Sequence, residues 1–240
     1  MSMTRALVFF LAAVLAPIAL AQEARKTAPK KPADAKVWMA LRGPLLWEET
    51  FAGGVWSKDW NLYKGKFIVE KEQLKVAEQA ADGHLATMTR NFKESNVIIQ
   101  FRFKFEGAKW LGIQLDDAVN DAKKENVAQL TVQPDSFRIE KMTGFAGTTK
   151  NTVVDQRKMK FEPGVWHRIV WEIQGDEMLA AVDDQEIVMA KVDGMTLVRS
   201  RLQLVTGGEV AWFDGIKVWK AEADPRWAKK KAALQESMKK

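Results

Sequence analysis

The strongest constraint on the fold is an alternation of apolar and polar side chains over residues 96–106, with Ile98 as the one apolar residue on the polar face. Successive side chains of a β-strand point to opposite faces of the sheet, so this pattern predicts a strand with one face in a core. Arg102 and Lys104 lie on the other face and are expected to be exposed. The side chains predicted to be buried are Val97, Ile99, Phe101, Phe103 and Phe105.

Shorter alternating segments follow along the chain, and compact turn signals separate several of them. The pairs Gly175-Asp176, Asp183-Asp184 and Gly207-Gly208 are typical of hairpins. Many short strands joined in this way predict an all-β fold, a jelly-roll sandwich of two antiparallel sheets. A short C-terminal helix is expected after Asp224-Pro225, because aspartate caps helices and proline suits their first position. The further predicted strands are residues 110–116, 128–133, 152–156, 167–173, 177–183, 186–190, 200–205 and 209–219.

The first 21 residues have the composition of a secretory signal peptide. One positive charge, Arg5, precedes the uncharged segment 6–21, which ends in Ala19-Leu20-Ala21, a small-residue cleavage pattern. A membrane anchor is the alternative, but this segment is shorter than the ~20 residues needed to span a bilayer, and Pro17 interrupts it. We therefore expect a secreted or periplasmic protein that is cleaved after Ala21 and has no transmembrane span.

Cleavage after Ala21 predicts that the mature chain begins at Gln22. Expression in a secreting host, followed by intact-mass measurement, should give the mass of residues 22–240. A matched variant, Ala21→Arg, should be cleaved poorly, because the cleavage site requires small side chains. A secreted parent protein that still carries residues 1–21 would contradict the prediction.

The folded domain is expected to span residues 37–223, between two basic ends. Residues 22–36 are rich in Lys, Ala and Pro and predict a disordered basic linker, while residues 224–240 predict a basic helix or tail. The linker has a net charge of +3 and the tail +4, whereas the domain has 25 basic and 27 acidic residues. A nucleic-acid-binding face would concentrate positive charge in the domain, so a nucleic-acid partner is not expected.

Residue types alone exclude several kinds of chemistry. The chain has no cysteine, which excludes disulfides, thiol catalysis and cysteine-held metal centres. It has two histidines, His84 and His167, and no phosphate-binding glycine loop or nucleophile elbow. The acidic loop 116–121 matches no calcium-loop spacing. We therefore expect no cofactor and no metal site.

Several aromatic-rich stretches resemble one known family. They are residues 48–51 (EETF) followed by Trp56 and Trp60, residues 101–105 with 107–109, residues 161–167 (FEPGVWH) continued by 172–178, and residues 210–219 (VAWFDGIKVW). Together they are similar to the 3-keto-disaccharide hydrolase-like domain family of the concanavalin A-like lectin/glucanase superfamily, over residues 46–221. The resemblance implies a jelly-roll fold, secretion and activity on glycosides. Residues 126–129 (NVAQ) depart from it, because they stand where relatives have a Gly-His pair.

A candidate binding surface lies on the polar face of the strands over residues 110–140. If these strands are neighbours, amides, a cation, two carboxylates and an indole project from one face. Such groups suit a saccharide, because polar groups bond its hydroxyls while an aromatic face stacks on its ring. The alternative is an ordinary solvated sheet face. Trp56 and Trp60 are further expected to be exposed. The predicted substrate-binding residues are Trp110, Gln114, Asp116, Gln129 and Arg138.

The sequence motifs do not identify catalytic residues. Glycosidases place two carboxyl groups across the scissile bond, but the laminarinase-type E-x-D-x-x-E motif is absent, and residues 172–177 lack its middle aspartate. The candidates for catalysis are Asp116, Glu140 and His84. We expect a secreted carbohydrate-binding or interaction module whose partner is a saccharide or a protein. The alternative is a glycoside hydrolase or lyase of the 3-keto-disaccharide type that uses carboxylates on the concave sheet.

Overall fold

The computed structural model describes residues 33–117, 126–144 and 148–238; the predicted signal peptide and residues 118–121 of the acidic loop lie outside them. As predicted, the described chain is all-β, with one C-terminal helix, α1 (Trp227–Ser237). No helix among these residues is long and apolar enough to cross a membrane. The strands are β1 (Ala40–Glu49), β2 (Trp60–Lys64), β3 (Lys66–Glu70), β4 (Gln73–Ala77), β5 (Ala86–Glu94), β6 (Val97–Asp117), β7 (Asn126–Gln133), β8 (Ser136–Thr143), β9 (Lys150–Lys158), β10 (His167–Gln174), β11 (Glu177–Val182), β12 (Glu186–Lys191) and β13 (Arg199–Ala223).

Two long antiparallel strands, β6 and β13, run side by side and connect the two halves of the domain. In the first half, β10, β11 and β12 extend the sheet beside the start of β6, and β1 pairs with the end of β13. In the second half, β7, β8 and β9 extend it beside the end of β6, while β5 and then β2 follow the start of β13. The strands β4 and β3 pair beside the middle of β13. Because β12 packs against β8 and β9, the halves form the two layers of a sandwich.

Two predicted strand boundaries are wrong, although the turns at Gly175-Asp176 and Asp183-Asp184 are confirmed. The Gly207-Gly208 pair, predicted as a hairpin turn, lies within β13, and Gly107 lies within β6. The pairing register between the two strands shifts at these glycines. Gly107 and Gly208 have φ angles of 101° and 90°, a region that favours glycine, so they form bulges that bend the strands instead of ending them.

The apolar face of β6 lies in the core as predicted. Arg102 and Lys104, however, are only partly exposed. Arg102 Nη1 lies 2.9 Å from Asp214 Oδ2, and both cationic side chains stack on the indole of Trp166. Neighbouring strands cover the aliphatic stems of such long side chains, which a pattern within one strand does not reveal. The buried residues of this face are Val97, Ile99, Phe101, Phe103 and Phe105.

A second, smaller core lies on the outer face of the first half of the sandwich. Residues 35–39, here called the strap, and the side chains of Trp227 and Leu234 in α1 pack there. The strap begins at Ala35, whose N–H donates to Gln100 Oε1 (2.6 Å), two residues before the start at Val37 that composition predicted. The strap and α1 cover Ile98, Val170, Leu179, Ala181 and Ile187.

Glu172 of β10 holds the strap on the sheet. Its side chain is fully buried, and its carboxylate accepts backbone N–H bonds from Trp38 (2.7 Å), Met39 (2.9 Å) and Ala40 (2.8 Å). Burial raises the pKa of the Glu172 carboxyl, and the three N–H bonds oppose that rise. Residues 172–177, which come nearest to the E-x-D-x-x-E motif of glycosidases, therefore contribute a structural anchor, Glu172.

Candidate functional site

A cleft of about 670 Å³ opens on the outer face of the second half of the sandwich. Its volume lies within the range of about 300–1,000 Å³ that is typical of small-molecule sites. Seven strands contribute to it, together with the turn before β5 and the segment before β9. Most of its described lining residues are polar and uncharged: Asn61, Leu62, Tyr63, His84, Leu85, Thr87, Thr89, Trp110, Gln114, Gln129, Thr131, Gln133, Arg138, Glu140, Met142, Thr149, Asn151, Arg201, Gln203 and Val205.

Strand pairing aligns one polar residue from each of six strands in a line across the cleft, here called the polar row. Gln203 of β13 lies opposite Gln114 of β6, and Gln114 lies opposite Gln129 of β7. Pairing with β5, β2 and β8 continues the line in both directions. Residues at one register position point to the same face, so the row presents amides, a hydroxyl and a carboxylate together. Its members are Asn61, Thr89, Gln203, Gln114, Gln129 and Glu140.

Hydrogen bonds order the side chains at the β8 end of the polar row. Gln114 Nε2 donates to Gln129 Oε1 (2.6 Å), and Gln129 Nε2 donates to Glu140 Oε2 (3.1 Å). The hydroxyl of Thr131 donates to the same carboxylate oxygen. Arg138 Nε lies 3.1 Å from Glu140 Oε1. A surface held in this way loses little side-chain entropy when a ligand binds.

The structure brings four of the five predicted substrate-binding residues to the cleft, and Asp116 is the exception. Its side chain is fully buried, pairs with Arg201 and accepts a hydrogen bond from Gln203 Nε2 (2.9 Å). Its register with β13 is unbroken from Gln114, so Asp116 keeps to the same face, where Arg201 and Gln203 cover it. A buried carboxylate needs such partners, and Asp116 in turn supports two lining residues from below. The four in the cleft are Trp110, Gln114, Gln129 and Arg138.

The indole of Trp110 lies against the backbone of β13 at Gly207. A Cβ atom at position 207 would stand 2.4 Å from Trp110 Nε1 and 3.1 Å from Leu85 Cδ2. Gly207 does not have a positive φ angle, so the position needs glycine for space and not for backbone conformation. Trp110 is half-buried and lines the cleft, so part of its ring is open to a ligand.

Two further aromatic groups meet at the rim of the cleft. The only tyrosine of the chain, Tyr63, lies edge-on to His84, with ring centroids 5.1 Å apart. His84 Nδ1 is 2.8 Å from the carbonyl oxygen of Leu85, which assigns the proton of the neutral ring to Nδ1 and leaves Nε2 as an acceptor. The structure thus places His84, a predicted catalytic candidate, in the cleft with Glu140. No group of three or more metal-ligating side chains occurs in the described parts of the chain.

Glu49 positions the loop that precedes β2. Its carboxylate accepts the N–H of Phe51 (2.9 Å) and the indole N–H of Trp60 (3.1 Å). Trp60 is buried, and Trp56 is half-buried against the core, so the expectation that both are exposed is wrong. The cause is Glu49, which satisfies the indole N–H and allows the ring of Trp60 to enter the core.

The sequence prediction missed the side of the cleft formed by β2, β5 and β13. Alternation over residues 200–205 could have placed Arg201 and Gln203 on the outer face, because Leu202 and Leu204 are buried. The sequence of β2 offers no comparable alternation, because its three middle residues include no buried apolar side chain. Tyr63 reaches the cleft because β2 pairs with β5.

No family model matches the chain, and no curated protein matches it. Solved structures do share its fold. The carbohydrate-binding module CBM66 from Bacillus subtilis aligns with a TM-score of 0.53 and 14% identity, over 68% of this chain and 96% of that one. A protein of unknown function with a galectin-like fold, also from Bacillus subtilis, aligns with a TM-score of 0.57 and 11% identity, over 78% and 100%. A laminarinase from Flavobacterium sp. UMI-01 gives 0.53 and 15%, over 74% and 100%.

These likenesses define the class of fold and not the activity, because identities this low carry no residue-level information. The chain is a jelly-roll β-sandwich of the galectin-like and concanavalin A-like kind. Proteins with this fold include both carbohydrate-binding modules and glucanases. A fold shared by binding proteins and enzymes leaves the function to be argued from the site.

Proposed function

We propose that this protein is a secreted carbohydrate-binding module whose cleft holds a saccharide. The observation that carries the proposal is the polar row beside the indole of Trp110, which Gly207 holds against the sheet. Amides and hydroxyls bond the hydroxyls of a sugar, while an indole stacks on the apolar face of its ring. The carbohydrate-binding module among the solved structures with this fold supports the same interpretation. Secretion is proposed from residues 1–21 of the sequence.

The alternative is a glycoside hydrolase or lyase of the 3-keto-disaccharide type, which the resemblance of the aromatic stretches implies. Such an enzyme needs groups that are free to exchange protons with the substrate. Glu140 lines the cleft, but it pairs with Arg138 and accepts hydrogen bonds from Gln129 and Thr131. Asp116 is buried beneath Arg201. Both carboxylates therefore have structural partners, which favours binding over cleavage.

Replacement of Trp110 by alanine should weaken binding of the cognate glycan by about 1–3 kcal/mol, or roughly fivefold to 150-fold, because the stacking surface is lost. A glycan array on the parent protein identifies the ligand, and calorimetric titration measures the affinities. Gly207→Ala should weaken binding without removing the indole, because its Cβ displaces Trp110. Trp166→Ala is the matched control, since Trp166 stacks on Arg102 outside the cleft.

The outcomes of this experiment separate the proposals. If Trp110→Ala and Gly207→Ala fold normally and bind like the parent, the saccharide site does not lie in this cleft. If no glycan binds, the carbohydrate proposal fails, and the protein-partner alternative takes its place. The recovered glycan should be chemically intact. Cleavage that Glu140→Gln abolishes, with binding retained, would establish the enzyme alternative instead.

A further inference from the structure

We infer that the cleft selects neutral oligosaccharides over uronic-acid chains, and that it holds at least two sugar rings on two separate aromatic platforms. This inference rests on the proposed function and adds the class of ligand. Two independent features of the cleft support it: the pairing of its charged side chains, and the positions of Trp110 and Tyr63.

The charged side chains of the described cleft occur as two compensated pairs. Arg138 pairs with Glu140 at the end of the polar row, and Arg201 pairs with the buried Asp116. Apart from His84, the other described lining residues have apolar or uncharged polar side chains. The described surface therefore has no net charge to attract a carboxylate.

A uronate would also meet an unfavourable neighbour. The carboxylate of Glu140 already accepts hydrogen bonds from Gln129 and Thr131 and an ion-pair contact from Arg138. A second carboxylate at Arg138 would compete for the same guanidinium and stand beside Glu140, and like charges in a partly desolvated site repel one another. Sugar hydroxyls avoid this conflict, because they both donate and accept hydrogen bonds.

The two platforms lie on different strands and differ in how firmly they are held. Trp110 of β6 is held against Gly207 beside the polar row. Tyr63 of β2 lies at the rim, is 63% exposed and contacts His84 edge-on. Both line the same cleft, separated by residues of β5 and β13. A single sugar ring on Trp110 would leave Tyr63 without a ligand contact, whereas a chain of sugars can reach both.

The test uses the mature parent protein, with neutral β-linked glucose oligomers of two and six units and a galacturonate oligomer of six units as probes. We expect the neutral hexamer to bind at least about tenfold more tightly than the hexauronate. Its affinity should change less than about twofold between 50 mM and 500 mM NaCl, because no net charge is neutralised. Tyr63→Ala should weaken binding of the glucose hexamer about fivefold and leave binding of the glucose dimer nearly unchanged. Trp110→Ala should weaken binding of both oligomers.

Each outcome has a separate meaning. Preference for the hexauronate, or a steep loss of neutral binding with salt, would overturn the neutral-ligand inference, while the proposed function would stand if Trp110→Ala still weakened binding. Equal effects of Tyr63→Ala on dimer and hexamer, or none on either, would overturn the two-platform arrangement. If Trp110→Ala changes neither affinity, the proposed site itself fails. Tyr63→Phe is the conservative control and should retain the stacking.

Discussion

Replacing Glu172 with alanine should lower the free energy of unfolding by about 3–5 kcal/mol and release the strap from the sheet. The carboxylate satisfies three backbone N–H groups of the strap, and each buried donor left without a partner costs roughly 1–3 kcal/mol. Release of the strap would also expose the second core, in which Ile98 and Val170 are fully buried. Chemical denaturation measures the loss of stability, and tryptic cleavage after Lys36 measures release of the strap.

A matched control separates this effect from a general loss of charge. Glu186 pairs with Arg157 in a partly exposed position, so Glu186→Ala should cost less than about 1 kcal/mol and leave cleavage at Lys36 unchanged. Glu172→Gln keeps one acceptor oxygen, so its loss of stability should lie between the losses of Glu172→Ala and Glu186→Ala. If Glu172→Ala is as stable and as resistant to trypsin as Glu186→Ala, the strap is not held by this carboxylate.

The pKa shift of Glu172 predicts a pH dependence with a definite sign. Burial raises its pKa above the ordinary value of 4.5, so the folded protein binds this proton more tightly than the unfolded chain does. The stability of the parent relative to Glu172→Gln should therefore fall as pH rises from about 4.5 through the raised pKa, and then level off. Denaturation curves across the acidic range measure the difference, and a rise in that window would contradict the shift.

Phe103→Ala should lower the free energy of unfolding by about 3–5 kcal/mol, because truncating a fully buried aromatic side chain leaves a cavity. The ring of Phe103 lies 5.4 Å from that of Phe161 and 5.7 Å from that of His167, so neighbours in two other segments lose contacts. Arg102→Ala, one residue away on the outer face, should cost about 1 kcal/mol or less through its partly exposed pair with Asp214. Equal losses for the two variants in a denaturant titration would contradict the register of β6.

The alternation of residues 97–105 was sufficient to predict which face of β6 is buried, because the period of a strand is a local property of the backbone. The same reasoning placed Trp110, Gln114, Gln129 and Arg138 together on the opposite face, and all four line one cleft. It could not show that Gly207-Gly208 continues a strand, because a glycine pair suits both a hairpin and a bulge. The paired register with β6 distinguishes the two.

By itself, the sequence determined the all-β class, the inward face of β6 and part of the polar surface, since these follow from composition and spacing. Only the tertiary structure decided that Asp116 is buried under Arg201, that Glu172 is an anchor and that Tyr63 joins the cleft. The physical reason is the distance along the chain over which each feature is determined. Alternation is set between adjacent residues, whereas burial of a carboxylate and proximity of Tyr63 to Trp110 depend on strands that pair far apart along the chain.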